Sequence, residues 1–115
     1  MKMDTTTLGP AKVLIVLSGR LDIAGAGQIE TEFTAAASHA EVVLVDMAGV
    51  SFLASIGIRL ILTVAKALHR RGGRLVLFGC DHQVEKVLLT TGVGELTDIV
   101  ETRADADRIL ESRAV

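Results

Sequence analysis

The 115-residue chain is predicted to fold as an α/β domain, with about four helices covering a mixed, mostly parallel sheet of four to five strands. Short apolar, β-branched runs alternate along the sequence with segments whose apolar residues recur every three or four positions. This alternation favours parallel neighbouring strands joined by right-handed helical crossovers. The length is that of one domain, which can bury roughly two-thirds of the surface of its unfolded chain.

The first strand and the first helix are expected to follow a polar N-terminal segment. Residues 1–11, with Pro10 near their end, are predicted to be a flexible arm, and residues 12–115 to be the domain. The apolar run at 12–18 is typical of a buried strand, which could lie antiparallel at the sheet edge. Residues 24–38 have helical spacing, which predicts a helix lying on the sheet.

The middle of the chain repeats this order of strand and helix. Residues 41–47, EVVLVDM, predict the second strand, and an amphipathic helix is expected to begin near Ile56. The sequence RRGG at 70–73 predicts where this helix ends, because cations suit a helix C-terminus and glycine adopts the left-handed cap. Residues 74–79, RLVLFG, predict the third strand.

The last third of the chain is predicted to hold two helices and a short strand. Asp81 is a candidate cap for a helix that stops at Gly92. The strand is expected at Asp98–Val100, and the last helix at about 104–113.

Composition excludes several classes of function. The net charge of −2 is mixed along the chain with no basic stripe, so nucleic acid is not expected as a partner. The three histidines lack metal-ligand spacing, and no phosphate-binding glycine motif is complete, so no metal or cofactor is expected. No apolar run approaches the ~20 residues of a membrane-spanning helix, which predicts no direct membrane insertion.

Cysteine usage gives no indication of an oxidising compartment. Cys80 is the only cysteine, so an internal disulfide is impossible, and its position at a strand end favours a buried, inert thiol. The N-terminus lacks the apolar segment of a signal peptide. We therefore expect a soluble, cytoplasmic protein.

Ser55 is the main candidate functional residue. It lies in SFLASIGIRLIL at 51–62, between a strand-like and a helix-like part, and therefore beyond the carboxyl end of a strand, where sites gather in such sheets. The sequence LASIG lacks the first glycine of the G-x-S-x-G hydrolase motif, so no catalytic residue is predicted. Ser55 could instead cap the free N–H groups of the helix.

A phosphate is another use of the Ser55 hydroxyl. Free N–H groups and the helix dipole favour an anion at a helix N-terminus, so the fold would tolerate phosphoserine. The phosphate would place about two negative charges on a surface of small apolar residues. Arg59, one turn on, could shield the phosphate, meet a carboxylate of a partner, or simply be solvated.

Five segments in register resemble the STAS domain family, the fold of bacterial anti-sigma factor antagonists and of the cytoplasmic tail of sulfate transporters. They cover essentially the whole chain. The matches are GRLD at 19–22 to the family's G-E-L-D, VLVDMAGVSF at 43–52 to D-L-S-G-V-x-F, ASIG at 54–57 to D-S-S/T-G, RGGRL at 71–75 to K-x-G-G-x-L, and TGV at 91–93 to T-G-L.

The resemblance implies a binding protein that is not an enzyme. In the family, the serine equivalent to Ser55 is phosphorylated by the anti-sigma factor, which is itself a serine kinase. The unphosphorylated antagonist binds that factor and frees the sigma factor, so transcription is regulated indirectly, and a phosphatase resets the switch. Here Ala54 replaces the acidic residue before the serine, and Ile56 replaces the second hydroxyl residue. Either the kinase differs, or Ser55 is a cap in a domain that binds constitutively.

The expected docking surface contains the following residues: Asp22, Ala54, Ser55, Ile56, Gly57 and Arg59. Asp22 could contact the partner or cap the helix that follows it. One alternative function is a STAS subunit that docks constitutively on a membrane transport complex, such as a phospholipid ABC transporter. A further alternative is a module that senses a nucleotide or a lipid.

Overall fold

The computed structural model describes residues 1–112, which form one five-stranded sheet and four α-helices. The elements are β1 Lys2–Gly9, β2 Lys12–Leu21, α1 Ile23–Ser38, β3 Val42–Leu53, α2 Ser55–Arg70, β4 Arg74–Phe78, α3 His82–Thr90, a 3-10 turn at Val93–Glu95, β5 Asp98–Val100 and α4 Arg103–Ser112. The strand order is β1-β2-β3-β4-β5, with β1 antiparallel to β2 and the remaining neighbours parallel. The predicted fold class is confirmed, and residue 113 of the predicted last helix lies outside the described residues.

The N-terminal segment differs from the flexible arm predicted for residues 1–11. Lys2–Gly9 is a strand that pairs with β2 along its length, with Met3 opposite Leu17 and Thr5 opposite Ile15. Met3 packs against the core, whereas Thr5 is exposed. Backbone pairing at a sheet edge does not require an apolar face. The polar threonine run therefore gave no hydrophobic signal, and the strand was not predicted. The run at 12–18 was considered as an antiparallel edge strand, but the edge strand is β1.

Strand β3 is longer than predicted, because it continues past Met47 to Leu53. The pairing of β2 with β3 shifts register between Val16 and Ser18, and again between Gly19 and Arg20. These irregularities space the buried positions after Met47 three residues apart, at Val50 and Leu53. A strand normally alternates with a period of two, so the second half of β3 carries no simple strand pattern.

The sheet separates two apolar layers. On one face, Ile15, Val43 and Leu75 pack with residues of α1, α2 and α3, among them Phe33 and Ile61. The opposite face forms a smaller cluster whose buried members are Val42, Leu44, Val76, Phe78 and Ala106 of α4. The helices α1 and α2 therefore lie side by side over one face, and both begin at the carboxyl end of the sheet. Within residues 1–112, no helix combines the length and apolar character needed to cross a bilayer.

The turn between β1 and β2 contains a strained alanine. Ala11 has a φ of 58°, in the left-handed region that glycine tolerates far better than alanine. Its carbonyl oxygen accepts hydrogen bonds from the N–H groups of Glu41 and Val42, at 2.7 and 3.2 Å. The hairpin turn is therefore fixed against the start of β3.

We expect Ala11→Gly to stabilise the protein by about 0.5 kcal/mol, because relief of left-handed strain exceeds the added entropy of the unfolded chain. Urea unfolding of both proteins measures the change. Gly72→Ala is the converse control, since Gly72 has a φ of 74° and alanine there should destabilise the fold. An Ala11→Gly protein that is clearly less stable than wild type would contradict the prediction.

Candidate functional site

The candidate site lies where β2 and β3 end and where α1 and α2 begin. Leu21 and Leu53, the last residues of the two strands, are paired and buried. The N–H of Ala54 donates to the carbonyl oxygen of Leu21 at 3.0 Å, which ties the start of α2 to the end of β2. The two helix starts are therefore held beside one strand end.

Two glycines allow the helices to approach this strand end closely. A Cβ atom added to Gly25 of α1 would lie 2.0 Å from the carbonyl oxygen of Arg20. One added to Gly57 of α2 would lie 2.7 Å from Cγ of Leu21 and 2.8 Å from its carbonyl oxygen. No larger residue fits at either position without displacement of the backbone.

The sequence placed Gly57 on the expected docking surface, and the structure contradicts this. It is buried against Leu21 and sets the position of α2. A glycine has no side chain to give it a place in a hydrophobic pattern, so the sequence alone did not distinguish a packed glycine from an exposed one. The other five predicted surface residues lie near this end of the sheet, with Ala54 and Asp22 half-buried.

Ser55 is the first residue of α2, and its side chain is exposed. The cap position belongs to Ala54, whose extended backbone precedes the helix and whose side chain offers no acceptor. The interpretation of Ser55 as the helix cap is therefore wrong. Within residues 1–112 its hydroxyl has no hydrogen-bond partner, and the first N–H groups of α2 have no side-chain cap.

Asp22 caps α1, which is one of the two roles that the sequence suggested for it. Its Oδ1 accepts a hydrogen bond from the N–H of Gly25 at 2.8 Å, and its Oδ2 lies 3.4 Å from Nε of Arg20. The Gly25 N–H and then the Arg20 guanidinium hold the pKa of the Asp22 carboxyl below its usual value. The guanidinium of Arg20 also lies 4.2 Å from the ring centre of Phe52. Contact of Asp22 with a partner stays a prediction.

Apolar side chains surround Ser55 on the surface. Ile23 is 76% exposed and Ile56 is 39% exposed, and with Ala54 and Arg59 they line a shallow depression that includes Ser55. Phe52 is 40% exposed as well, but it lines a separate depression with Gln83 and Val87 of α3. Large apolar residues exposed in one region are typical of an interaction surface.

Ile23, which lines the depression that includes Ser55, was missed as a site residue. Ile23 directly precedes the helix predicted at residues 24–38, and the helical spacing gave it no role. The structure places it in the first turn of α1, with its side chain exposed. Its position directly after a capping Asp was the available signal.

The described part of the chain offers neither a reactive thiol nor a metal-binding cluster. Burial, and secondarily the Glu85 carboxylate, raise the pKa of the Cys80 thiol to about 11, so it stays protonated near neutral pH. Among residues 1–112, no group of three His, Cys, Asp or Glu residues could hold a metal ion.

Comparison with known proteins identifies the fold. A family model described as "STAS domain" matches residues 2–106. A search of curated protein sequences gives no significant match.

Several solved structures share this fold. A Bacillus cell fate determinant, SpoIIAA in its phosphorylated form, has a TM-score of 0.74 at 24% identity, covering 94% of this chain and 99% of that chain. An anti-sigma factor antagonist from Mycobacterium paratuberculosis has a TM-score of 0.81 at 18% identity, covering 96% and 95%. The SulP transporter STAS domain from Vibrio cholerae has a TM-score of 0.72 at 19% identity, covering 95% and 89%. At these identities the likeness concerns the fold alone.

We expect Gly57→Ala to destabilise the protein by about 3 kcal/mol or more, since its Cβ would collide with the backbone and side chain of Leu21. Gly27→Ala in α1 is the matched control, because a Cβ there meets no atom within 4 Å. That variant should be neutral or slightly stabilising, as alanine favours helices. Equal unfolding midpoints for the two variants in urea would disprove the packing role of Gly57.

We expect Asp22→Ala to destabilise the protein at neutral pH, with a loss that shrinks as the pH falls. The folded pKa of Asp22 is lowered, so its contribution is complete above the unfolded pKa and vanishes as the pH falls through the folded pKa. Urea unfolding of both proteins between about pH 7 and about pH 3 measures this. Asp22→Asn keeps a capping oxygen and separates the cap from the charge. A difference that does not vary with pH would contradict the assignment.

Proposed function

The chain belongs to the STAS domain family, and on that premise we propose that it is an anti-sigma factor antagonist. It would dock on a kinase-like anti-sigma factor, and phosphorylation of Ser55 by that serine kinase would release it. Transcription would then be regulated indirectly, without catalysis by this chain, and a phosphatase would restore the binding form. Such a protein acts in the cytoplasm.

The observation that carries this proposal is the placement of Ser55. Its hydroxyl is exposed at the first position of α2 and lies among the apolar side chains of Ile23 and Ile56. A kinase can therefore reach the hydroxyl, and a partner can cover the surface around it. The phosphorylated form of SpoIIAA, which shares the fold, supports the same kind of switch.

The replacement of the family's acidic residue by Ala54 is compatible with a phosphate. Ala54 has no side-chain acceptor, so the first N–H groups of α2 are available to phosphate oxygens. An acidic side chain at this position would compete for the same donors and repel the phosphate. The fold should therefore tolerate phosphorylation of Ser55.

The effect of phosphate on docking follows from its desolvation. Docking would bury Ile56 and Ile23 against the partner, and a phosphate on Ser55 would lie within the same contact. A charge that is buried without a partner costs several kcal/mol, so phosphorylation could weaken docking by ~10²-fold or more. Arg59 can meet a partner carboxylate in the unmodified form and lies one turn from Ser55.

A second candidate function is constitutive docking on a membrane transport complex, as a STAS subunit of the phospholipid ABC transporter type. Ala54 and Ile56 favour it, because both the acidic residue and the second hydroxyl of the switch are replaced by apolar residues. The SulP transporter STAS domain shows that the same fold occurs in a transporter. In this case docking would not depend on the state of Ser55.

We expect the anti-sigma factor kinase of the same genome, with ATP, to add one phosphate to the wild-type chain and none to Ser55→Ala. Intact-mass spectrometry measures the product. Ser51→Ala is the control, because Ser51 is also exposed near this end of β3. Phosphorylation that persists in Ser55→Ala would disprove the site.

The docking switch needs a second measurement. The chain with phosphoserine incorporated at position 55 should bind the same kinase about 10²-fold more weakly than the unmodified chain. Titration calorimetry compares the two. Equal affinities would disprove the switch and favour constitutive docking.

A further inference from the structure

A groove between α1 and α2 begins beside the Ser55 surface. Its α1 wall includes Ile23, Glu30 and Thr34, and its α2 wall includes Ile56, Arg59 and Thr63. Each wall thus presents one exposed isoleucine, one long charged side chain and one threonine. The two walls therefore carry the same types of side chain, except that the charge on α1 is negative and the charge on α2 is positive.

The two charges of the groove are available for contacts with another molecule. Glu30 and Arg59 are exposed, and within residues 1–112 neither forms a hydrogen bond or an ion pair. Four other arginines of the described chain do form ion pairs, with Asp22, Asp98, Asp107 and Asp105 as their partners. The groove therefore combines opposite, unpaired charges with exposed apolar surface.

We propose that a second copy of the chain docks on this groove and forms a symmetric dimer. A two-fold axis that runs along the groove places α1 of one copy against α2 of the other. Glu30 then faces Arg59 of the second copy, and Ile23 faces Ile56 of the second copy, so each contact occurs twice. Arg59 is about one helical turn closer to its helix start than Glu30, an offset that two long side chains can span.

The surface also permits close approach. Gly27 lies in the groove wall, and a Cβ added there would meet no atom within 4 Å. The missing side chain leaves room for a side chain of the second copy. Ile23 is the most exposed large apolar residue of the described chain, and the contact would remove it from water.

The dimer would have a regulatory consequence that rests on the proposed function. It covers Ile23, Ile56 and Arg59, which surround Ser55, so the dimer and the complex with an anti-sigma factor exclude each other. The dimer itself requires neither a kinase nor a phosphate, so the purified chain alone tests it.

Sedimentation equilibrium of wild-type, Glu30→Lys and Arg59→Glu chains tests the proposal. The wild type should dimerise, and more weakly as salt rises. Each variant places like charges at both contacts, so its dimer should dissociate about 10-fold or more readily. An equimolar mixture of the two variants restores opposite charges at both contacts, and it should form a heterodimer about as strong as the wild-type dimer.

Matched controls change the same charges outside the groove. Glu32→Lys on α1 and Lys66→Glu on α2 should leave self-association unchanged, because both residues are exposed and neither lines the groove. A wild-type chain that stays monomeric up to about 1 mM would leave the groove to a different partner and overturn the proposal. A mixture that associates no better than either variant alone would also overturn it, and rescue in the mixture excludes misfolding as the cause.

Discussion

The surface around Ser55 depends on the close approach of two helices to the end of one strand. Gly25 brings α1 against the carbonyl oxygen of Arg20, and Gly57 brings α2 against Leu21. These two contacts fix the starting points of both helices relative to β2. The exposed residues of the first turns, Ile23 and Ser55, are placed by backbone packing. Their positions should therefore be insensitive to substitutions on the surface itself.

The two neighbouring helix starts differ in their electrostatics. Asp22 supplies a charged acceptor to α1, whereas Ala54 supplies none to α2. A negative group arriving at this edge would thus be repelled by one start and accommodated by the other. The absence of a cap costs α2 some stability, since a capping side chain typically contributes ~1 kcal/mol. That cost is understandable if the free N–H groups of α2 receive a phosphate.

The sequence predicted the regular parts of the fold and missed the irregular ones for physical reasons. Helices α1 to α4 follow the expected helical period, and strands β4 and β5 lie on the predicted short runs. All six agree with their predicted positions within a few residues. Strand β1 was missed because Thr5 and its neighbours gain from pairing with β2 and not from burial. The end of β3 was placed too early, because the register shifts disrupt the two-residue alternation after Met47. In the site, Ser55 and Asp22 were recognisable by their local chemistry, but the burial of Gly57 depends on contacts with β2, which is distant in sequence.

The exposure of Ile23 connects the proposed partner and the proposed dimer. An isoleucine that is 76% exposed gains little from folding of the monomer, and either proposed contact would bury it. Ile56 is 39% exposed, and the charge of Arg59 has no partner within residues 1–112, so both could also contribute to such contacts. If both contacts use these residues, they compete, and the concentration of the chain sets the fraction available for docking. A phosphate on Ser55 would attract Arg59 away from Glu30 of a second copy, so it would weaken the dimer as well as the complex. Phosphorylation would then leave a monomer with no partner at this surface, and removal of the phosphate would restore both choices.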